Sequence, residues 1–334
     1  MKIKVLSLKF YSFLRQQERL IEALNELGHE ATGEVYAPGI IKKIDEPIIF
    51  ITEEQGIDSF VRLCGMHHKK GLAWIDFFVT KRFSAVKMWQ DRFRRWGGKI
   101  VPIGNFEKEH LEMAKIQTDG VIPRCIPDNL FDYHWRGEKK RVLGWGFAHY
   151  MKEYNWYKHF GAPIELKDVT RKGHEFLVKF AENNPDWEVC LVTEREALEK
   201  AIKIPELSNL EIHEAGGFTE EEQREFFLNA GLFCFPTRQD SQGLVISEAQ
   251  AMGVPTCYTR APQQLEVGGG LEIPYKEIVK FPDHFRLAII DYKDVEEAIY
   301  KTYSLSSYLS EHGRENAKRF RASVIAKQLV EVLG

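Results

Sequence analysis

The stretch Gly231–Pro255, GLFCFPTRQDSQGLVISEAQAMGVP, constrains what this chain can fold into more than any other. Leu232, Phe233, Cys234 and Phe235 form a short apolar run stopped by Pro236, the pattern of a strand covered on both faces in a parallel sheet. Thr237 to Gly243 then reads as a polar loop. Gly243 lets backbone approach a ligand closely where a helix opens with Leu244, Val245, Ile246, Ser247 and Glu248. The amides that open a helix have no intrahelical partners and lie at the positive end of its dipole, so a phosphate placed there gains several hydrogen bonds at once. Asp240 and Glu248 flank that point. A carboxylate accepts two hydrogen bonds from neighbouring hydroxyls, the geometry of a ribose or hexose edge. A phosphate between two diols describes a sugar nucleotide, although the same two carboxylates also suit a plainer role as dipole partners of the helix.

At 334 residues the chain accommodates two α/β domains of ordinary size. A net charge of −3 with 28% charged residues gives no blanket attraction to nucleic acid. Cys64, Cys125, Cys190, Cys234 and Cys257 are widely spaced, mostly within apolar runs and odd in number, and read as reduced core residues with neither a zinc pattern nor a disulfide framework. No apolar run approaches the roughly 20 residues that cross a bilayer, and the N-terminus lacks a signal-peptide pattern, so a cytoplasmic protein is expected.

Ile3 to Leu8 reads as a strand, followed by a helix carrying Leu14, Leu20, Ile21, Leu24 and Leu27 and ended by Gly28, after which the chain returns as a strand. Further strands are expected at Ile48–Thr52, Phe77–Thr80, Lys99–Ile103 and Gly120–Pro123. The charged stretch WRGEKKR sets a domain boundary near Gly137, and a new strand, Arg141–Phe147, opens a second alternation of strands and helices. The expectation is an α/β chain with two Rossmann-like, doubly wound parallel-sheet domains, 1–137 and 138–334, facing across a cleft.

The segment from Pro236 resembles the signature of the retaining glycosyltransferases of family 4. Pro236, Thr237, Gly243, Leu244, Glu248, Ala249, Ala251, Gly253, Val254 and Pro255 match, while Asp240 stands for the family's first Glu and Ser241 for one Gly. Lys172–Gly173 matches a Lys-Gly pair that supplies a cation to the diphosphate. Gly28, His29 and Glu30 match a first-domain pattern. Two features depart: Lys9, Phe10, Tyr11 and Ser12 replace the Gly-rich loop, and no Arg stands at the strand end Trp145–His149, so Arg171 is the candidate for that charge.

The resemblance implies a GT-B fold, with the last helix crossing back to the N-terminal domain, and metal-independent, retaining transfer of a hexose from a nucleoside-diphosphate sugar to a glycan, lipid-linked or protein acceptor. It implies roles residue by residue. Lys172, with the amides of Gly243 and Leu244, would hold the diphosphate; Glu248 the ribose; Asp240 the donor-sugar hydroxyls; and Arg171, Ser241, Gln242 and Val245 would line the site. Gly216, Gly217, Phe218 and Thr219 correspond to a stretch near the nucleobase, and His67 or His68 to a first-domain His near the reacting carbon. No metal is expected as cofactor. The basic aromatic helix 81–99 suggests a peripheral contact with an anionic membrane or simply a basic outer face, and the aromatics Tyr150, Tyr154, Trp156, Tyr157 and Phe160 suggest sugar contact or ordinary packing. Two other functions stay compatible with the residues: a sugar-nucleotide epimerase or hydrolase on the same fold, and a non-catalytic binding subunit.

Overall fold

The computed structural model describes residues 1–9, 11–52, 54–75, 84–146, 170–216, 218–240, 242–261, 266–280 and 286–334. They divide into two compact units: Met1–Asp128 together with Arg319–Gly334, and Asn129–Lys318.

The first unit runs β1 (Lys2–Ser7), α1 (Tyr11–Glu26), β2 (Glu30–Val35), β3 (Ile48–Thr52), α2 (Glu54–His67), β4 (Gly71–Ile75), α3 (Ser84–Arg95), β5 (Lys99–Pro102) and α4 (Asn105–Met113). The second runs β6 (Arg141–Trp145), α5 (His174–Asn183), β7 (Glu188–Thr193), α6 (Arg195–Ala201), β8 (Leu210–Glu214), α7 (Glu220–Asn229), β9 (Leu232–Phe235), α8 (Leu244–Ala251), β10 (Thr256–Thr259), β11 (Leu271–Ile273), an antiparallel pair β12 (Glu277–Lys280) and β13 (Arg286–Ile289), then α9 (Tyr292–Ser304) and α10 (Ser306–Ala317). Helix α11 (Ala322–Leu333) belongs to the first unit.

Each unit is built on a parallel sheet, ordered β2-β1-β3-β4-β5 in the first and β11-β10-β9-β6-β7-β8 in the second. Successive side chains of a strand face opposite ways. Ile49, Ile51, Leu72 and Trp74 accordingly enter one core cluster of the first unit, and Ile48, Phe50, Ala73 and Ile75 enter the other. Such strands are buried on both faces, which is why they read as continuous apolar runs. In the second sheet the chain starts centrally at β6, moves out through β7 and β8, then returns to the other side of β6 as β9. The reversal leaves a crevice at the carboxyl ends of β6 and β9, where open α/β sheets bind ligands.

The fourth strand of the first sheet is Gly71–Ile75, while the strand expected at Phe77–Thr80 lies outside the described residues. Gly120–Pro123 forms no strand; it joins the sheet through a bond from Ile122 N to Pro102 O, 3.0 Å, and one from the Trp74 indole of β4 to Ile122 O, 2.7 Å. The units divide after Asp128, upstream of Gly137, because Trp135 is already anchored in the second unit: its amide donates to Met252 O (2.8 Å) and its indole to Ala230 O (2.9 Å). All five cysteines are reduced and buried. No described helix is long and apolar enough to cross a membrane.

Candidate functional site

At the end of β9 the chain turns through Pro236 and Thr237 into a loop, and Gly243 takes up a left-handed conformation (φ 66°) to start α8. Gly243, the residue at the N-cap, has no side chain to cap that start, which lies at the positive end of the helix dipole.

The loop is fixed from behind by the segment before α5. Arg171 O accepts from Arg238 N (2.9 Å) and lies 3.2 Å from the Thr237 hydroxyl. Arg238 pairs with Glu175 and donates to Thr170 O (2.9 Å), while Glu175 accepts from the Thr170 amide and hydroxyl. Gly173, which starts α5, is also left-handed (φ 70°), and a Cβ there would stand 2.1 Å from Pro236 O. Only glycine allows these two backbones to meet.

That packing brings Lys172 to the signature loop. Its ammonium donates to Asp240 Oδ2 at 2.6 Å and lies 4.9 Å from the centre of the Phe235 ring. Both partners are largely buried, with side-chain exposures of 7% and 14%. Burial pushes the Lys172 pKa down to about 8; Asp240 opposes that shift, and the nearby charge of Arg171 adds to it. Beneath it, His174 is fully buried, its Nδ1 3.0 Å from the Thr193 hydroxyl, and burial followed by the Lys172 charge drives its pKa down to about 3. The imidazole is therefore neutral at any ordinary pH.

Glu248 sits one turn into α8, nearly buried, and accepts from Gln223 Nε2 of α7 at 3.3 Å. The loop before α7 is set by a reciprocal cap: Glu222 N donates to Thr219 Oγ1 (3.2 Å), and Thr219 N to Glu222 Oε2 (2.7 Å). Phe218 precedes it and packs on Trp145, at the end of β6, and on Phe226 of α7. Phe218, Thr219 and Phe226 line a cavity of about 580 Å³.

The second unit thus gathers Lys172, Asp240, Gly243, Leu244 and Glu248 at the carboxyl ends of its strands, with Gln242 buried in the same loop and the Arg171 charge beside Lys172. Val245 follows Leu244 in the first turn of α8. Gly217 and Ser241 lie outside the described residues, as do 147–169 with their aromatics and Lys81, Arg82 and Phe83 of the basic helix. His67 ends α2 in the first unit, in the turn that leads into β4, so it sits where a strand begins rather than where ligands bind in such sheets. His68 follows it and stacks on Trp96 at 4.2 Å. Sequence reading missed His174, Glu175 and Arg238. Their signal was present as polar residues in places otherwise bound for the core, but which of them pair across 60 or so positions is a tertiary fact.

Residues 165–286 match the family model described as glycosyl transferases group 1. No curated protein matches the chain. Among solved structures, it is similar to the Anabaena protein HepE in complex with UDP and glucose (TM-score 0.67, 11% identity, covering 100% of this chain and 99% of that one). Sucrose-phosphate synthase of Thermosynechococcus elongatus is similar at a TM-score of 0.63 and 13% identity, covering 99% and 98%. The α,α-trehalose 6-phosphate synthase of Burkholderia multivorans is similar at 0.60 and 8%, covering 100% and 98%. The structural likenesses establish the GT-B fold, and the matched segment makes this chain a glycosyltransferase.

Proposed function

We propose that the chain transfers a hexose from a nucleoside-diphosphate sugar with retention of anomeric configuration and without a metal, in the manner of family 4. The observation that carries this reading is the buried Lys172–Asp240 pair set against the start of α8, with Glu248 one turn further on. Lys172 and the opening amides of α8 hold the diphosphate, Glu248 the ribose and Asp240 the donor sugar. As the bond between sugar and phosphate breaks, negative charge grows on the leaving diphosphate. Groups already aimed there gain most in the transition state, which is where binding accelerates a reaction. The acceptor attacks the face the diphosphate leaves, and the departing phosphate takes the acceptor's proton, so no protein nucleophile is needed. A glycan, a lipid-linked sugar or a protein serves as acceptor.

The test has three arms. Thermal shifts with UDP-, GDP-, ADP- and CMP-sugars identify the donor, because a ligand bound only by the folded state at 100 times its dissociation constant adds roughly 2.7 kcal/mol of stability. NMR of the product then reports its anomeric configuration, which should equal the donor's. Transfer or donor hydrolysis should also persist in excess EDTA. An inverted product, or activity lost in EDTA and restored by Mn²⁺ or Mg²⁺, would refute the corresponding part of the reading.

A further inference from the structure

A second cluster of chemically capable side chains lies elsewhere in the second unit. Cys190 of β7 pairs in register with Glu211 of β8, and His213 follows Glu211 by two positions, so all three project from one face of the sheet. The Cys190 sulfur, a Glu211 carboxylate oxygen and a His213 ring nitrogen lie within 4.8 Å of one another. His213 Nε2 is 3.6 Å from Glu211 Oε2, too long for a hydrogen bond, and is shut off from solvent with no hydrogen-bond partner among the described residues. A buried ring nitrogen left unsatisfied calls for an explanation.

Thiolate, imidazole and carboxylate form a ligand set typical of zinc. We propose that Cys190, Glu211 and His213 form a binding site for a zinc ion, with its fourth position open to the cavity that Glu211 and His213 line beside α7. The charge balances, since a thiolate, a carboxylate and a neutral imidazole together offset a divalent ion while Arg141, which hydrogen-bonds Cys190 as well as Glu211, is paired with Glu188, and the Cys190 proton is released to solvent on binding.

Zinc bonds of about 2.0 to 2.3 Å place tetrahedral ligand atoms roughly 3.3 to 3.8 Å apart, so the cluster closes by about 1 Å on binding. The movement falls on Glu211 and His213, whose side chains are 56% and 39% exposed, while Cys190 stays fixed in its strand. Arg141 donates to Glu211 Oε2 at 2.9 Å and to Glu188 at 3.1 Å. A carboxylate has two oxygens, so Glu211 can keep Arg141 on one and offer the other to the metal, with Arg141 orienting it. Phe226 holds the His213 ring edge-on at 4.8 Å. The cluster sits on β7 and β8, and its open position faces the cavity that Phe218 and Thr219 also line.

The full chain, stripped with EDTA and desalted, is titrated with zinc chloride against a chromogenic chelator and, separately, with cobalt chloride. One zinc per chain and a near-ultraviolet thiolate-to-cobalt charge-transfer band are expected. Cys190→Ser should abolish that band, and Cys190→Ser, His213→Ala and Glu211→Gln should each weaken zinc binding at least about tenfold, whereas Cys64→Ser should change neither. Absence of zinc binding by the wild type, a cobalt spectrum without the thiolate band, or undiminished binding by Cys190→Ser would overturn the site. Should Cys190→Ser fail to fold, undiminished binding by both His213→Ala and Glu211→Gln overturns it instead.

Discussion

Lys172 carries two opposing demands: burial disfavours its charge, while the Asp240 carboxylate, 2.6 Å away, favours it. Burial wins, and a pKa of about 8 leaves the ammonium mostly charged at neutral pH and titratable just above it. The affinity for a free nucleoside diphosphate should therefore fall about tenfold per pH unit above pH 8, because binding must then take up a proton. Lys172→Met should bind weakly with no such dependence; calorimetry from neutral to alkaline pH checks both. The effect on folding runs the other way. The unfolded chain keeps that proton up to the ordinary value of 10.5, whereas the folded chain gives it up near 8, so Lys172 adds stability as pH rises between the two. Asp240→Asn removes the carboxylate that raises the Lys172 pKa, so the fall in affinity should begin at lower pH. At mildly acid pH, nucleoside diphosphate binding should survive while turnover drops, the pattern of a contact that matters in the transition state. Equal loss of both would assign Asp240 to the diphosphate or ribose instead. For Glu248→Ala, each charge-assisted bond lost to the ribose costs about 1.5 to 3 kcal/mol. Unchanged calorimetric affinity in a folded variant would remove Glu248 from the site.

At the scale of elements, the site depends on how the start of α5 meets the loop that leaves β9. Gly173 is the contact point, and Gly173→Ala combines an unfavourable left-handed backbone with a Cβ at 2.1 Å from Pro236 O. Strain of about 1 to 3 kcal/mol from the backbone and a similar overpacking cost should appear as a lower urea midpoint and weaker diphosphate binding. Gly28→Ala is the control: its φ is +83°, yet nothing lies within 4 Å of an added Cβ, so only the backbone cost should appear, with diphosphate binding unchanged. Equal stability losses in the two variants would mean that the Gly173 packing contributes little. The same elements show how far sequence reading reaches. The strand Leu232–Phe235, the glycine at the start of the next helix and the helix from Leu244 were legible because each is dictated locally, by an apolar run, a glycine and a periodic pattern; the left-handed backbone of Gly243 is a finding of the structure. The strand Gly71–Ile75 was not legible, since it is short and follows a polar turn without strong strand punctuation. The Thr170–Glu175–Arg238 network and the Cys190–Glu211–His213 cluster were not legible at all. Both depend on register and packing that join distant segments, and no local spacing encodes them.

For the molecule as a whole, the chain forms one unit, then the other, and returns to the first at Arg319. Its last helix is therefore part of a fold begun more than 300 residues earlier. Ile325, Ala326, Leu329 and Leu333 of α11 are buried in the cluster that holds Leu20 and Leu24 of α1 with Ile3 and Val5 of β1. The isolated bridge between Ile126 and Arg321 and the bond from Ile126 N to Phe320 O (2.8 Å) guide the chain into that position. Each unit buries a core of its own, so a cavity cut in one core should loosen the sheet built on it. Leu329→Ala deletes a fully buried side chain and should cost about 2 to 5 kcal/mol in the first unit. Hydrogen exchange followed by mass spectrometry should then show lost protection in Lys2–Ser7, Tyr11–Glu26 and Ile48–Thr52, with protection of Leu232–Phe235 and Leu244–Ala251 maintained. Phe180→Ala, cut into the second core, should reverse the pattern and weaken diphosphate binding as well. If Leu329→Ala instead left the first sheet as protected as before, α11 would be a peripheral tail, and the core assigned to it would have to close without the helix that completes it.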